Sequence, residues 1–320
     1  MPIYPLWFVM LTAYQCSGKA LSEAPLHQAI WIDLFQPTPD EVAALAELGV
    51  SVPSLAEMEE IELSNRLYRE EKTEVLIVVL TGEREDRQQV AAPVAFILTP
   101  ERLVTVRHHR PRPFATYPTR AGQASAGITT PEQLFLGLAQ EIVARLADLL
   151  ESAGRVLDDT SRQIFASDAG RDPDALQTTL RQVGLQGEAI GRIRLALLTL
   201  ERALTFFDSS DRDDTINGLV AGLLRDIEAL SEHSDYLSTR IGLTVDATLG
   251  MITLVQNSTV RIFSVLAVLF LPPTLVASIY GMNFAVMPEL TEPWGYPAAL
   301  ALMLASAVGC YVVFKWKRWL

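Results

Sequence analysis

A seven-residue register near the carboxyl end carries Asp246, Thr253, Val260, Ala267, Thr274 and Gly281. The interleaved positions are Leu249 or Gly250, Gln256 or Asn257, Phe263 or Ser264, and Phe270 or Leu271. A heptad keeps one helical stripe facing a common axis, and a dry coiled coil would fill that stripe with Leu, Ile and Val. Here small and polar residues alternate with a few apolar ones. Two arrangements satisfy that pattern: a water-lined conduit with apolar constrictions, or a helix–helix interface packed through small residues. Gly281 is followed by Met282 and Asn283. A neutral amide there can accept hydrogen bonds from a hydrated cation without burying a charge. Mg²⁺ gives up its waters reluctantly. Carboxylates would hold such an ion more tightly and slow its release, whereas conduction needs weak sites.

The residues around this register must position it. Ile262 to Tyr280 and Gly295 to Phe314 contain no Asp, Glu, Lys or Arg. Each run approaches the ~20 residues that cross a hydrocarbon core as a helix. They predict transmembrane helices over 262–280 and 295–314 in a lipid bilayer. Arg261 precedes the first, and Lys315, Lys317 and Arg318 follow the second, while the loop 281–294 carries only Glu289 and Glu292 as charges. The positive-inside rule then puts both termini in the cytoplasm and the loop outside. Glu289 and Glu292 would concentrate cations at that face by field attraction. Two spans from one chain cannot enclose a conduit, so conduction requires closed oligomerisation.

The 320 residues have a net charge of −12, which excludes a nucleic-acid partner, since phosphate binding needs a basic face. A mean hydropathy of +0.22 reflects the two apolar runs. Cys16 and Cys310 form no disulfide framework. Leu6 to Leu11 is apolar but lacks the flanks of a secretory leader, and no nucleotide-binding loop or cofactor motif appears. Adjacent His108 and His109 on a strand would point to opposite faces, which does not favour a zinc site.

The amino-terminal part reads as an α/β domain over 1–130. Ala29–Leu34, Glu74–Leu80, Val94–Leu98 and Leu103–Val106 have the composition of strands in one sheet. Thr38 with Glu41 forms a capping-box pattern before a helix over Asp40–Leu48. Gly122–Gly127 reads as a turn. Helices from Pro131 to about Phe165 and from Pro173 to Phe207 form an antiparallel pair within 131–210. A stalk helix over 211–261 runs on into the first span, a continuous rod on the order of 100 Å long. Pro272-Pro273 predicts a kink in it. Residues 315–320 form a basic tail. The fold class is thus an α/β cytosolic domain with a long stalk helix continuing into a two-helix transmembrane domain.

Tyr280-Gly281-Met282-Asn283-Phe284, Met287-Pro288-Glu289-Leu290, Trp294-Gly295-Tyr296-Pro297 and the terminal Lys315-Trp316-Lys317-Arg318 resemble the CorA-type divalent-cation channels and transporters. Trp31–Leu34 and Leu103–Arg107 resemble that superfamily's cytosolic domain more loosely. The resemblance implies a homopentamer in a bacterial-type inner membrane, not an enzyme, with no cofactor and with Mg²⁺ as the transported ion, Co²⁺ or Ni²⁺ being related cargo. Counted without gaps, it implies that Asn283 is the selectivity residue, binding metal through its waters. Thr274, Asn257, Thr253 and Asp246 then face the pore, and Leu271 and Phe263 form constrictions. Gly222 stands where magnesium-gated members carry a stalk aspartate, and Asp226, about one turn on, is the candidate substitute. A Zn²⁺ transporter of the same superfamily and a non-conducting membrane-anchored scaffold are the alternatives.

Overall fold

The computed structural model describes residues 11–18, 20–60, 66–165, 172–209, 212–282, 287–288 and 292–317. Two compact units divide the chain, one of residues 1–162 and 180–245, the other of residues 163–179 and 246–320.

The first unit is built on a sheet of β1 (Leu11–Ser17), β2 (Ala20–Glu23), β3 (Trp31–Phe35), β4 (Leu67–Glu70), β5 (Thr73–Glu83), β6 (Gln89–Leu98) and β7 (Leu103–Arg107), in the order β2-β1-β3-β7-β6-β5-β4. β3 and β7 pair in parallel, with Asp33 opposite Thr105 and Phe35 opposite Arg107, and the remaining pairs are antiparallel. Alternation assigns the strand side chains to two cores. Ile32, Leu34, Ile77, Ile97 and Val104 pack with Leu45 of α1 (Pro39–Glu47) and Met58 of α2 (Leu55–Glu59). Trp31, Leu76, Val78, Phe96 and Leu103 face the other way, against helices described below. Both short helices start with a capping box: Glu41 N donates to Thr38 Oγ1 and Thr38 N to the Glu41 carboxylate, and Ser54 and Glu57 repeat the exchange.

Strand limits differ modestly from the sequence expectation. β3 begins at Trp31 rather than Ala29, and β5 and β6 are longer than their β-branched centres. The segment before the turn at 122–127 is helical: α3 spans Pro113–Arg120, although Pro118 lies inside it. Burial of Phe114 and Tyr117 in the second core outweighs the missing backbone donor. α4 (Pro131–Phe165) and α5 (Pro173–Asp208) are the helix pair the spacing predicts, followed by α6 (Asp214–Tyr280).

Polar contacts tie these layers together. Val79 N in β5 donates to Thr199 Oγ1 of α5 at 3.0 Å, so a helix hydroxyl completes a backbone group of the sheet. Asp33, 5% exposed, accepts from Arg107 at 2.8 Å and from Thr105 Oγ1 at 2.7 Å. Thr105 Oγ1 in turn accepts from Trp31 Nε1 at 3.1 Å. Tyr14 stacks on Trp31, and burial, followed by the Asp33 charge, raises its pKa. At the root of α6, Arg212 donates to Glu74 of β5 at 2.6 Å and lies 3.6 Å from the Phe207 ring centroid. Arg69 of β4 holds the same Glu74 at 3.2 Å and the Phe206 carbonyl at 2.7 Å. Arg212 therefore fastens the root of the long helix to the sheet, and Arg69 ties the end of α5 to the same carboxylate.

Candidate functional site: the polar stripe of the long helix

α6 is helical from Asp214 to Tyr280 without interruption, including Pro272 and Pro273. The two prolines deprive the Val268 and Leu269 carbonyls of their i+4 donors. The helix ends at Gly281, whose N–H still donates to Ala277 O at 2.9 Å, while Met282 N donates to Ile279 O at 3.2 Å. A Cβ at Gly281 would lie 3.1 Å from the Ala277 carbonyl oxygen, a close approach that glycine accommodates. α7 follows over Gly295–Trp316, two residues longer than the charge-free run. Both helices are long and apolar enough to cross a membrane, and their most apolar windows are not buried within the protein.

Between Ile262 and Tyr280 the half-covered positions of α6 are Val265, Leu269, Pro272, Pro273, Val276 and Tyr280. On α7 partial or full cover falls on Gly295, Ala299, Met303, Ser306, Ala307, Cys310 and Phe314. Steps of three and four make each set one helical face. The seam runs along another side of α6. At about 100° per residue, Val260, Phe263, Ala267, Leu271, Thr274 and Gly281 point roughly opposite the covered face.

Every described seam residue is exposed: Asp246, Leu249, Thr253, Asn257, Val260, Phe263, Ala267, Leu271, Thr274, Gly281 and Met282. The apolar members Val260, Phe263 and Leu271 are 63%, 66% and 65% exposed, as bare as Ile262 and Leu275 off the seam, at 64% and 60%. The hydroxyls are oriented by the helix itself. Thr253 Oγ1 donates to Leu249 O at 2.9 Å, Ser264 Oγ to Val260 O at 2.8 Å, and Thr274 Oγ1 to Phe270 O at 2.7 Å. With its one proton committed to the backbone, each hydroxyl offers lone pairs outward. Such a stripe accepts hydrogen bonds from water and repels nothing cationic.

Asn283 and Glu289 lie outside the described residues. Asp226 is described, but in the other unit, in a groove with Gln140, Val143 and Leu223. His109 and His108 follow the end of β7 rather than sitting in it. His109 is 1% exposed, with Nε2 bonded to Leu80 O at 2.9 Å, and burial depresses its pKa to about 4. His108 is half-buried, and burial lowers its pKa too. Among the described residues no group of three or more His, Cys, Asp or Glu side chains could hold a metal ion.

An α/β domain, a long helix and a second apolar helix define a membrane protein of a particular build. Its fold matches the complete CorA magnesium transporter from Methanocaldococcus jannaschii with a TM-score of 0.77 at 17% identity, over 98% of this chain and 99% of that one. The full-length CmaX protein matches with a TM-score of 0.65, also at 17% identity, over 96% and 97%. The CorA-like Mg2+ transporter protein family model covers residues 27–318, and the chain belongs to that family. Magnesium transport protein CorA of Haemophilus influenzae is 36% identical over 319 residues, covering 97% of this chain and 100% of the relative. Its Escherichia coli K12 counterpart is 35% identical over 326 residues, with the same coverage. Members of the family are ion transporters, not enzymes.

Proposed function

We propose that this protein is a homopentameric channel for Mg²⁺ uptake, seated in a bacterial-type inner membrane with both termini cytoplasmic. Family membership supports the ion, and one observation carries the mechanism. The polar stripe of α6 is left uncovered on the side roughly opposite the face that packs. Copies arranged about an axis would turn those stripes inward, placing acceptor oxygens from Asp246, Thr253, Asn257 and Thr274 along one path. Hydrated Mg²⁺ donates hydrogen bonds from its waters to such oxygens and keeps its inner shell. Asn283 forms the selecting ring at the outer end, following Gly281 and Met282 at the helix exit. Phe263 and Leu271 close the path by dewetting. Glu289 raises the cation concentration at the entrance. Asp226 serves as the regulatory carboxylate in place of the one missing at Gly222.

The test is ion flux into vesicles containing the purified protein, with Mg²⁺, Co²⁺, Ni²⁺ and Zn²⁺ in separate arms. Mg²⁺ entry that Asn283→Ala abolishes without altering oligomer mass is the expected result. No flux of any ion would leave an anchored scaffold. Flux of Zn²⁺ alone would assign the protein to the zinc-transporting alternative. Unchanged Mg²⁺ entry in Asn283→Ala would remove that residue from selection. Asp246→Ala should reduce flux less.

A further inference from the structure

A cation-rich hollow in the α/β unit is unrelated to the conduit stripe. A cavity of about 220 Å³ opens beside the end of β5, lined by Gly82, Glu83, Arg110, Arg112, Arg145 and Leu149 among others. A second, of about 140 Å³, adjoins it and is lined by the same Arg112 and Arg145, with Arg120, Glu141 and Asp148. Arg112 precedes α3 and Arg145 is on α4, so two separate elements bring arginines to line one place. Acids outnumber bases 38 to 26 in this chain, so basic side chains should find partners easily. Arg120 does, holding Glu141 at 2.9 Å. Arg110, Arg112 and Arg145 form no salt bridge among the described residues.

The backbone explains how the hollow forms. Arg110 N donates to Glu83 O at 2.8 Å, and Glu83 N to Arg110 O at 3.3 Å. A Cβ at Gly82 would come within 2.8 Å of the Arg110 carbonyl carbon and Pro111 nitrogen, so only glycine permits that approach. The Arg110 guanidinium lies 4.9 Å from the Phe35 ring centroid and adds positive field rather than a direct fork. Glu83 is the carboxylate lining the larger cavity, and Gln89 donates to it at 2.7 Å.

We propose that this hollow binds a phosphate-class oxyanion between Arg112 and Arg145. One guanidinium satisfies both oxygens of a carboxylate, whereas a tetrahedral dianion can accept a fork from each of two. With Arg120 committed to Glu141, Arg110, Arg112 and Arg145 stand against Glu83 and Asp148, a net positive balance that suits an oxyanion. The volume falls below the ~300–1,000 Å³ of sites that enclose drug-sized molecules, so the phosphoryl group itself is the ligand held.

Isothermal titration calorimetry of the full-length protein in detergent, with inorganic phosphate and separately glycerol phosphate, tests the assignment. Saturable binding of at least one probe is expected, and either ranking of the two supports a phosphoryl site. Arg112→Ala and Arg145→Ala should each weaken it about tenfold or more, and Glu83→Gln should tighten it. Arg202→Ala, an exposed arginine elsewhere, should change nothing. No saturable binding of either probe to the unaltered protein would overturn the proposal. So would binding that the Arg112→Ala/Arg145→Ala double variant retains. All the replaced side chains lie at the surface or half-buried, so these variants keep the core intact.

Discussion

The two parts of α6 obey different rules although no break separates them. Before Leu249 the helix buries Val220, Leu223, Ile227 and Leu237 and carries charges on its remaining faces. Most of its apolar residues are covered because water is outside, Tyr236 and Leu243 being the exposed exceptions. From Ile262 to Tyr280 no residue is buried, and Ile262, Phe263, Phe270 and Leu271 are each more than half exposed. In water that surface would be an aggregation site. In a bilayer it is the side facing solvent, and the residues needing protection are the polar ones. One helix thus inverts the meaning of exposure along its length: the amino-terminal part hides its apolar stripe, and the carboxyl-terminal part must hide its polar one.

Substitutions that swap the two regimes test this contrast. The largest effect is expected from Leu237→Ala, which empties a fully packed position and should cost about 2–5 kcal/mol. Leu266→Ala, on the bare part, should cost under about 1 kcal/mol by the same thermal or denaturant melt of the detergent-solubilised protein. Equal costs would mean the bare part is packed like a soluble core. Next comes a charge. Leu266→Arg should lower membrane insertion by about 3 kcal/mol, whereas Tyr236→Arg, at an exposed position of the amino-terminal part, should insert normally; a glycosylation-based insertion assay distinguishes them.

Acid provides a comparable effect in the unit that holds the sheet. The folded pKa of His109, about 4, lies below its ordinary 6.5 because burial penalises the cation. The unfolded chain therefore binds more protons between those values, and stability falls as pH drops from 6.5 toward 4. His109 should contribute a loss of about 3 kcal/mol over that window, which His109→Gln removes. The run 262–280 has no titratable carboxylate or histidine. Its helical signal should outlast the near-ultraviolet signal of Trp31 at pH 4, and simultaneous loss would break the contrast.

Gly137→Ala should give a smaller but clear effect, about 1–3 kcal/mol, because its new methyl would meet the buried ring and hydroxyl of Tyr117. The smallest change in stability is expected from Thr274→Val. It should leave the melt within about 0.5 kcal/mol yet lower Mg²⁺ flux, while Thr274→Ser should keep most of it.

How much of this was legible beforehand depends on where each element gets its stability. Local signals succeeded where the chain advertises itself: Pro131 opening α4, the Thr38–Glu41 box before α1, and the charge-free spans. They failed where tertiary burial decides. α3 has Pro113 and Pro118, yet Phe114 and Tyr117 bind it into the core. The edge strands β2 and β4, and β1 beside β2, have mixed composition and owe their form to their neighbours. Thr105 and Arg107 alternate on one face of β7, a visible pattern, but only the parallel register brings Asp33 between them. The stripe was readable as a seven-residue period. Its separation from the covered face was not, because that depends on which side of α6 is packed.

Stiffness is the last property that follows from these positions. A helix resists bending through its ladder of hydrogen bonds, and α6 lacks two consecutive rungs, those from Pro272 and Pro273 to Val268 and Leu269. Thr274 returns its hydroxyl to Phe270 O just beyond them, and two ordinary turns remain before Tyr280. Bending therefore costs least at this height, beside Leu271. The long helix has one compliant section, and that section lies beside Leu271, the residue proposed to close the path, whose distance from a shared axis a few degrees of tilt would change.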